Sequence, residues 1–226
     1  MAIIVAFVGQ KGGVGKSTLS RALATTVARE GLTVRTADLD PQQATITIWA
    51  QARDRQKVSP QVKVDRFSCV QEALASANDE DFFVIDTPCA VSDQIADVAA
   101  RAVLLVQPTS PTVDDLYPAV LVFHALERLG TPREKLAFAL CRTLSDDEAS
   151  EARTYLEGLG YAVLAGDIPE RLEYRKAMNQ GRAIVEADQE DLKGRAETMM
   201  ADLLARARRP LRMPKPDVIE QRPDAA

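Results

Sequence analysis

Two lysines set among glycines are the residues here with the most definite chemistry. The run Gly9-Gln10-Lys11-Gly12-Gly13-Val14-Gly15-Lys16-Ser17-Thr18 follows an apolar stretch at 3–8 and precedes a helix-like one at 17–30. Glycines let backbone N–H groups turn inward with no Cβ in the way. Those donors and a helix N-terminus together form an anion cradle, suited to the phosphates of a nucleotide. In such a loop Lys16 reaches the β- and γ-phosphates and the Ser17 hydroxyl holds Mg²⁺. The ordinary phosphate-loop pattern places a glycine six residues before that lysine, where this chain has Gln10.

Carboxylates form the second group. Asp38 and Asp40, in Asp38-Leu39-Asp40-Pro41-Gln42, close a strand-like segment at 33–37. Two carboxylates so spaced at a strand end suit Mg²⁺ or an attacking water. Asp86 ends the apolar Phe82-Phe83-Val84-Ile85, the position of a Walker B acid that holds Mg²⁺. His124 has no Cys, His or Asp at ligand spacing and reads as structural.

Elements that alternate along the chain must position these groups. Apolar runs at 3–8, 33–37, 82–85, 102–106 and 136–140, with a short one within 162–168, read as strands buried on both faces. Stretches at 17–30, 45–55, 117–129, 148–159 and 192–207 read as helices, with Gly31 and Gly130 as stops. This βα alternation predicts an α/β fold, a doubly wound and mostly parallel sheet flanked by helices, with ligands at the carboxyl ends of the strands. Residues 1–207 read as one domain. Residues 208–226 read as a flexible Pro/Arg-rich tail: six basic residues lie between Arg206 and Arg222, with prolines at 210, 214 and 216.

Composition narrows the classes. Apolar residues make up 46% and aromatics only 5%, so the core is expected to be aliphatic. No apolar stretch nears the roughly 20 residues that span a bilayer, and the apolar start has no basic flank of a leader. Cys69, Cys89 and Cys141 are too few and scattered for a disulfide framework, which suits a reduced cytoplasm. A net charge of −5 leaves room for nucleic acid only through a local basic patch.

The segment from Lys11 to Ser17 resembles the deviant Walker A motif of the ParA/MinD family of P-loop ATPases, which carries a second, signature lysine early in the loop. The resemblance runs over about residues 2–205. It extends to Asp38-Leu39-Asp40-Pro41-Gln42 as a switch I motif, to Asp86-Thr87-Pro88 and to Gln107-Pro108-Thr109. Ile168-Pro169-Glu170-Arg171 is similar to the family's adenine-packing loop, and Arg142 fills a place often held by Asn or Arg. The family often continues Asp-Thr-Pro with a second proline, where this chain has Cys89.

The resemblance implies that Gly12 to Thr18, with Arg142 and Pro169, bind ATP. It implies that Ser17, Asp38 and Asp86 serve Mg²⁺, that Asp40 orients the attacking water, and that Lys11 reaches the partner's phosphates in a homodimer closed by ATP. It further implies non-specific DNA binding by that dimer, with Arg171, Arg175, Lys176 and Arg182 as the basic candidates, and nucleoid association in the ATP state. A ParB-like or other adaptor protein would stimulate hydrolysis and release. The cargo would be a plasmid, a chromosome or a protein cluster.

The start close to the phosphate loop, the proline-broken end and the lack of paired seam cysteines point to the short ParF-like, McdA-like or PpfA-like branch, without a membrane helix. Trp49 fits either core packing or a switch role. The alternative within the same superfamily is an ATP-dependent biosynthetic enzyme of the dethiobiotin-synthetase or cobyrinate-synthetase kind.

Overall fold

Five apolar segments with hardly a charge between them become the buried strands of one parallel sheet. The computed structural model describes residues 2–89 and 94–209. The strands are β1 (Ile3–Phe7), β2 (Val34–Asp38), β3 (Lys63–Arg66), β4 (Phe82–Asp86), β5 (Leu104–Thr109), β6 (Leu136–Thr143), β7 (Ala162–Val163) and β8 (Ile168–Pro169). Their order is β3-β2-β4-β1-β5-β6-β7, with β8 also beside β6, and every pairing is parallel. From β1 the chain builds outward on one side and then returns to build the other from β5. That reversal beside β1 is where doubly wound sheets bind ligands.

Helices α1 (Lys16–Arg29), α2 (Thr45–Arg55), α3 (Val70–Ala75), α4 (Gln94–Arg101), α5 (Val113–Arg128), α6 (Asp146–Gly158), α7 (Leu172–Asn179) and α8 (Glu190–Ala207) cover the sheet. On one face Leu19, Leu23 and Val27 of α1 join Met199, Met200 and Leu203 of α8 against Val5, Phe7 and Val84. On the other, Leu116, Val120 and Phe123 of α5 join Val98 of α4 and Leu156 of α6 against Ala6, Ile85 and Leu105. Each strand therefore feeds alternate side chains to two cores, as a sheet covered on both faces requires.

The expected elements are present with shifted ends. Strand β5 starts two residues later than its apolar run suggests and takes in Gln107-Pro108-Thr109. Helix α5 starts at Val113, with Pro118 inside it. Five of these elements were not expected from hydrophobic patterning: β3, α3, α4, α7 and a second short strand where one was read within 162–168. The first is half exposed and charged (Lys63-Val64-Asp65-Arg66) and owes its pairing to β2. Of the proposed tail, only Arg208 and Arg209 are described; prolines 210, 214 and 216 lie outside the described residues.

Candidate functional site

The loop after β1 turns on glycines that no other residue could replace cheaply. Gly13 has φ +74 and Gly15 φ +119, backbone that a Cβ disfavours. A Cβ on Gly15 would also press on Cys141 Sγ at 3.3 Å. Gly15 caps α1 with no side-chain hydrogen bond, and the first turn of α1 holds no acidic residue. The first N–H groups of α1 are thus left to an outside acceptor, and the helix dipole favours an anion there. The residues fit a phosphate chain.

Lys16 is 6% exposed, and its Nζ donates to the Lys11 carbonyl and to Cys89 Sγ, both at 3.1 Å. A cleft of about 160 Å³ is lined by Lys16, Ser17, Asp40, Asp86, Thr87 and Cys89. Of the residues expected to serve phosphate, metal and water, Lys16, Ser17, Asp40 and Asp86 thus line one cleft, and Asp38 does not. Cys89 belongs to this wall.

Parallel pairing sets the two buried acids side by side: Asp38 ends β2 directly across from Asp86 at the end of β4. Burial pushes the Asp86 carboxyl up to about 6, against hydrogen bonding from Ser17 and Ser20; Asp38 adds to the rise and Arg21 offsets it. Among the described residues no group of three or more His, Cys, Asp or Glu could hold a metal. Mg²⁺ keeps waters and binds through one or two protein oxygens plus phosphate. Asp86 and the Ser17 hydroxyl fit that role.

Asp38 has a further job. Its oxygens accept from the Asp40 N–H at 3.1 Å, the Thr47 N–H at 3.1 Å and Thr47 Oγ1 at 2.6 Å. It therefore anchors the loop after β2 to the start of α2. Asp40 accepts from the N–H groups of Gln42 and Gln43 with one oxygen, and its other oxygen has no partner among the described residues. A free carboxylate oxygen on the cavity wall suits the alignment of a water.

Lys11 stays out of the cradle. Its side chain is 52% exposed and its Nζ pairs with Asp115 in the first turns of α5. Burial works against ionised Asp115, but hydrogen bonds from Lys11 and Ser110 hold its carboxyl below the usual range.

Beside the loop, Arg142, Ile168, Pro169, Tyr174, Met178 and Ile184 line a second cleft of about 230 Å³, apolar enough for a base. Arg142 takes φ +60 and its Nε donates to Glu170 at 2.9 Å. Burial pushes the Cys141 thiol on the same wall well up, so it is a protonated packing residue, not a nucleophile.

The four basic candidates separate. Arg171 and Arg175 line the base cleft, and Arg175 pairs with Glu170. Arg182 is bound by both oxygens of Asp188. Lys176 is exposed and has no ion pair among the described residues. The patch open to an outside polyanion is therefore smaller than its sequence suggests.

Three groupings were not legible in the sequence. Buried Arg21 of α1 donates from Nη2 to the Thr45 carbonyl at 2.8 Å and lies 5.6 Å from the Trp49 ring centre. Arg53 of α2 is fully buried, bonded by both nitrogens of its fork to Glu186 at 2.7 and 3.0 Å. Trp49 Nε1 donates to the Arg182 carbonyl at 3.0 Å, so it packs between α2 and the segment after α7. Arg53 left one signal: it falls on the same helical stripe as Ile46 and Trp49, the buried residues of α2. His124 sits 5.9 Å from the Tyr161 ring, a packing place.

The family model for the CobQ/CobB/MinD/ParA nucleotide-binding domain matches residues 5–184. No curated protein sequence matches the chain. Among solved structures, the chain is similar to a plasmid partition protein of Borrelia burgdorferi bound to AMPPNP, at 17% identity and TM-score 0.68, over 91% of this chain and 99% of that one. It is similar to the septum site-determining protein MinD of Pyrococcus horikoshii complexed with Mg-ADP, at 17% identity and TM-score 0.70, over 90% and 96%. An McdA variant of Cyanothece in complex with ATP gives 19% identity and TM-score 0.66, over 89% and 96%.

Proposed function

The chain belongs to the CobQ/CobB/MinD/ParA nucleotide-binding family, and from that premise we propose that it is a slow ATPase of the partition or positioning kind, working as a nucleotide-switched homodimer. Lys16 and the N–H groups from Gly12 to Thr18 hold the phosphates, and the base lies against Pro169 with Arg142 at its edge. Ser17 and Asp86 hold Mg²⁺, which neutralises phosphate charge when bound, while Asp38 keeps the loop in place. Asp40 directs a water at the γ-phosphate.

The observation that carries the switch reading is the state of Lys11. A lysine within the phosphate loop stands half exposed, held to Asp115 rather than in the cradle. On release from Asp115 it reaches the phosphates bound by a second copy, where it offsets transition-state charge. A second copy would also cover Val113, Tyr117 and Leu121, exposed at four-residue intervals on the same helix. The plasmid partition protein among the similar structures supports a role in moving cargo.

The closed dimer binds DNA through phosphates without reading bases. A ParB-like or other adaptor then stimulates hydrolysis and releases it, so the protein is cytoplasmic and nucleoid-bound only with ATP. No described helix is long and apolar enough to cross a membrane. Binding to plasmid DNA at low salt, measured with ATP, with ADP and with neither, tests this. Binding with ATP alone is expected, and it is lost in Lys16→Gln. Equal binding in all three states overturns the switch. No binding in any state, with ATP still hydrolysed, favours the biosynthetic alternative.

A further inference from the structure

Arg21 lies one turn beyond Lys16 and Ser17 on α1, and α1 is buried along most of its length. A guanidinium in such a place needs partners. It has one hydrogen bond, from Nη2 to the Thr45 carbonyl, while its Nε is buried with no partner. No acid pairs with it directly among the described residues; the charges that favour it are the carboxylates at the ends of β2 and β4, tied in beside it through Ser20 to Asp86 and through Thr47 to Asp38. Asp86 and Asp38 both favour charged Arg21, against burial that draws it down to about 10. Asp38 and Asp86 are themselves 2% and 3% exposed. Two neighbouring buried carboxylates with no cation would repel each other and lose hydration.

We propose that Arg21 is a positioning residue of the nucleotide site: it is the standing counter-charge to Asp38 and Asp86 and ties the loop after β2 to the phosphate-loop helix. The inference rests on the reading of this site as one for Mg²⁺ and nucleotide. The tie is direct, because Thr45 opens α2, and Asp38 fixes the same turn through Thr47. Arg21 therefore holds from α1 what Asp38 holds from β2. The counter-charge has a second consequence. A fixed cation near the metal's carboxylates repels an incoming dication, so Arg21 makes Mg²⁺ binding weaker than the acids alone would make it. The site is stable without metal and correspondingly less greedy for it.

The chain offers its own reporter. Trp49 is its single tryptophan, and the guanidinium carbons of Arg21 and Arg53 lie 5.6 and 5.4 Å from its ring centre. The experiment measures how ADP affinity depends on Mg²⁺ by calorimetry at about pH 8, above the range in which Asp86 takes a proton. Trp49 emission is recorded alongside.

For Arg21→Gln the Mg²⁺ concentration giving half the effect is expected to fall roughly five- to tenfold, while turnover at saturating Mg²⁺ also falls. Arg21→Lys keeps the charge but gives up the planar tie. Its Mg²⁺ midpoint should stay within about twofold of the unaltered protein, with Trp49 emission changed. A merely structural arginine would give looser Mg²⁺ binding in both variants, and that result overturns the inference. Should Arg21→Gln fail to fold, Arg21→Lys decides, since a midpoint moved more than about threefold contradicts the counter-charge. If the unaltered protein binds no ADP, the nucleotide reading itself fails. If it binds ADP with the expected Mg²⁺ dependence and Arg21→Gln does not tighten it, only this inference fails.

Discussion

The strand ends around β1 and the helix α7 both carry charge, and they carry it in opposite ways. At the strand ends Lys16, Arg21, Asp38 and Asp86 are all buried, each tied to named partners. On α7 and its flanks Arg171, Arg175 and Lys176 face solvent, and the pairs they make are the kind water screens. Buried charge has to be matched at fixed geometry, so the identity of each residue matters. Exposed charge acts by sum and can be shared among positions. In the function we propose, the first region recognises one chemical group and the second meets an extended polyanion.

The sharpest way to break that contrast is to unpair a buried charge. Arg53→Met leaves Glu186, which is nearly as buried, with only the longer contact to Arg29 at 3.6 Å and the Ala183 N–H, and should cost about 3–5 kcal/mol in denaturant unfolding. Arg53 Nη1 also donates to the Gly181 carbonyl at 3.0 Å. A loss below about 1 kcal/mol would put this pair with the surface pairs.

Next comes the acid kept ionised at a cost. Folding raises the Asp86 carboxyl to about 6, so its proton is held more tightly in the folded state than in the unfolded one. That contribution is fully present below the ordinary carboxylate range and is lost as pH climbs through about 6. Without nucleotide, Asp86→Asn should therefore be more stable than the unaltered protein by on the order of 2 kcal/mol near pH 8, and the difference should close toward about pH 4. Unfolding midpoints at the two pH values check it; an equal difference at both would mean the buried acid is not strained.

The smallest effects belong to the exposed region. Lys176→Glu should weaken ATP-dependent DNA binding roughly three- to tenfold and flatten its salt dependence by about one charge per subunit. Arg182→Gln should change it less than about twofold, because Arg182 is already bound to Asp188. Binding isotherms over a salt series distinguish the two, and equal losses would return Arg182 to the DNA face.

The same contrast decides what could be read from the sequence. Glycines, a lysine at the mouth of a helix and acids ending apolar strands leave patterns, because chain direction and strand end fix where they meet. That Lys16, Asp40 and Asp86 meet at one cleft was legible on that ground, and so was the parallel sheet. Arg21 with Thr45, Lys11 with Asp115 and Arg53 with Glu186 join residues 24, 104 and 133 positions apart, as counted along the chain. Such pairs leave no periodic mark. Strand β3 and helix α7 were missed for a related reason: charged sequence there is held by a neighbour rather than by its own apolar stripe. The pairing of Arg182 with Asp188 likewise depends on loop geometry.

The most direct test of the switch is molecular mass in solution with ATP, by light scattering, for Asp40→Ala and for Asp40→Ala combined with Lys11→Ala. Loss of the water-orienting carboxylate should leave ATP bound and unspent, so Asp40→Ala accumulates as a dimer. Adding Lys11→Ala removes the lysine that crosses between copies, and the mass should return to that of one chain while ATP still binds. If the double variant with bound ATP is as fully dimeric as Asp40→Ala, Lys11 does not act across the interface and the central claim is contradicted.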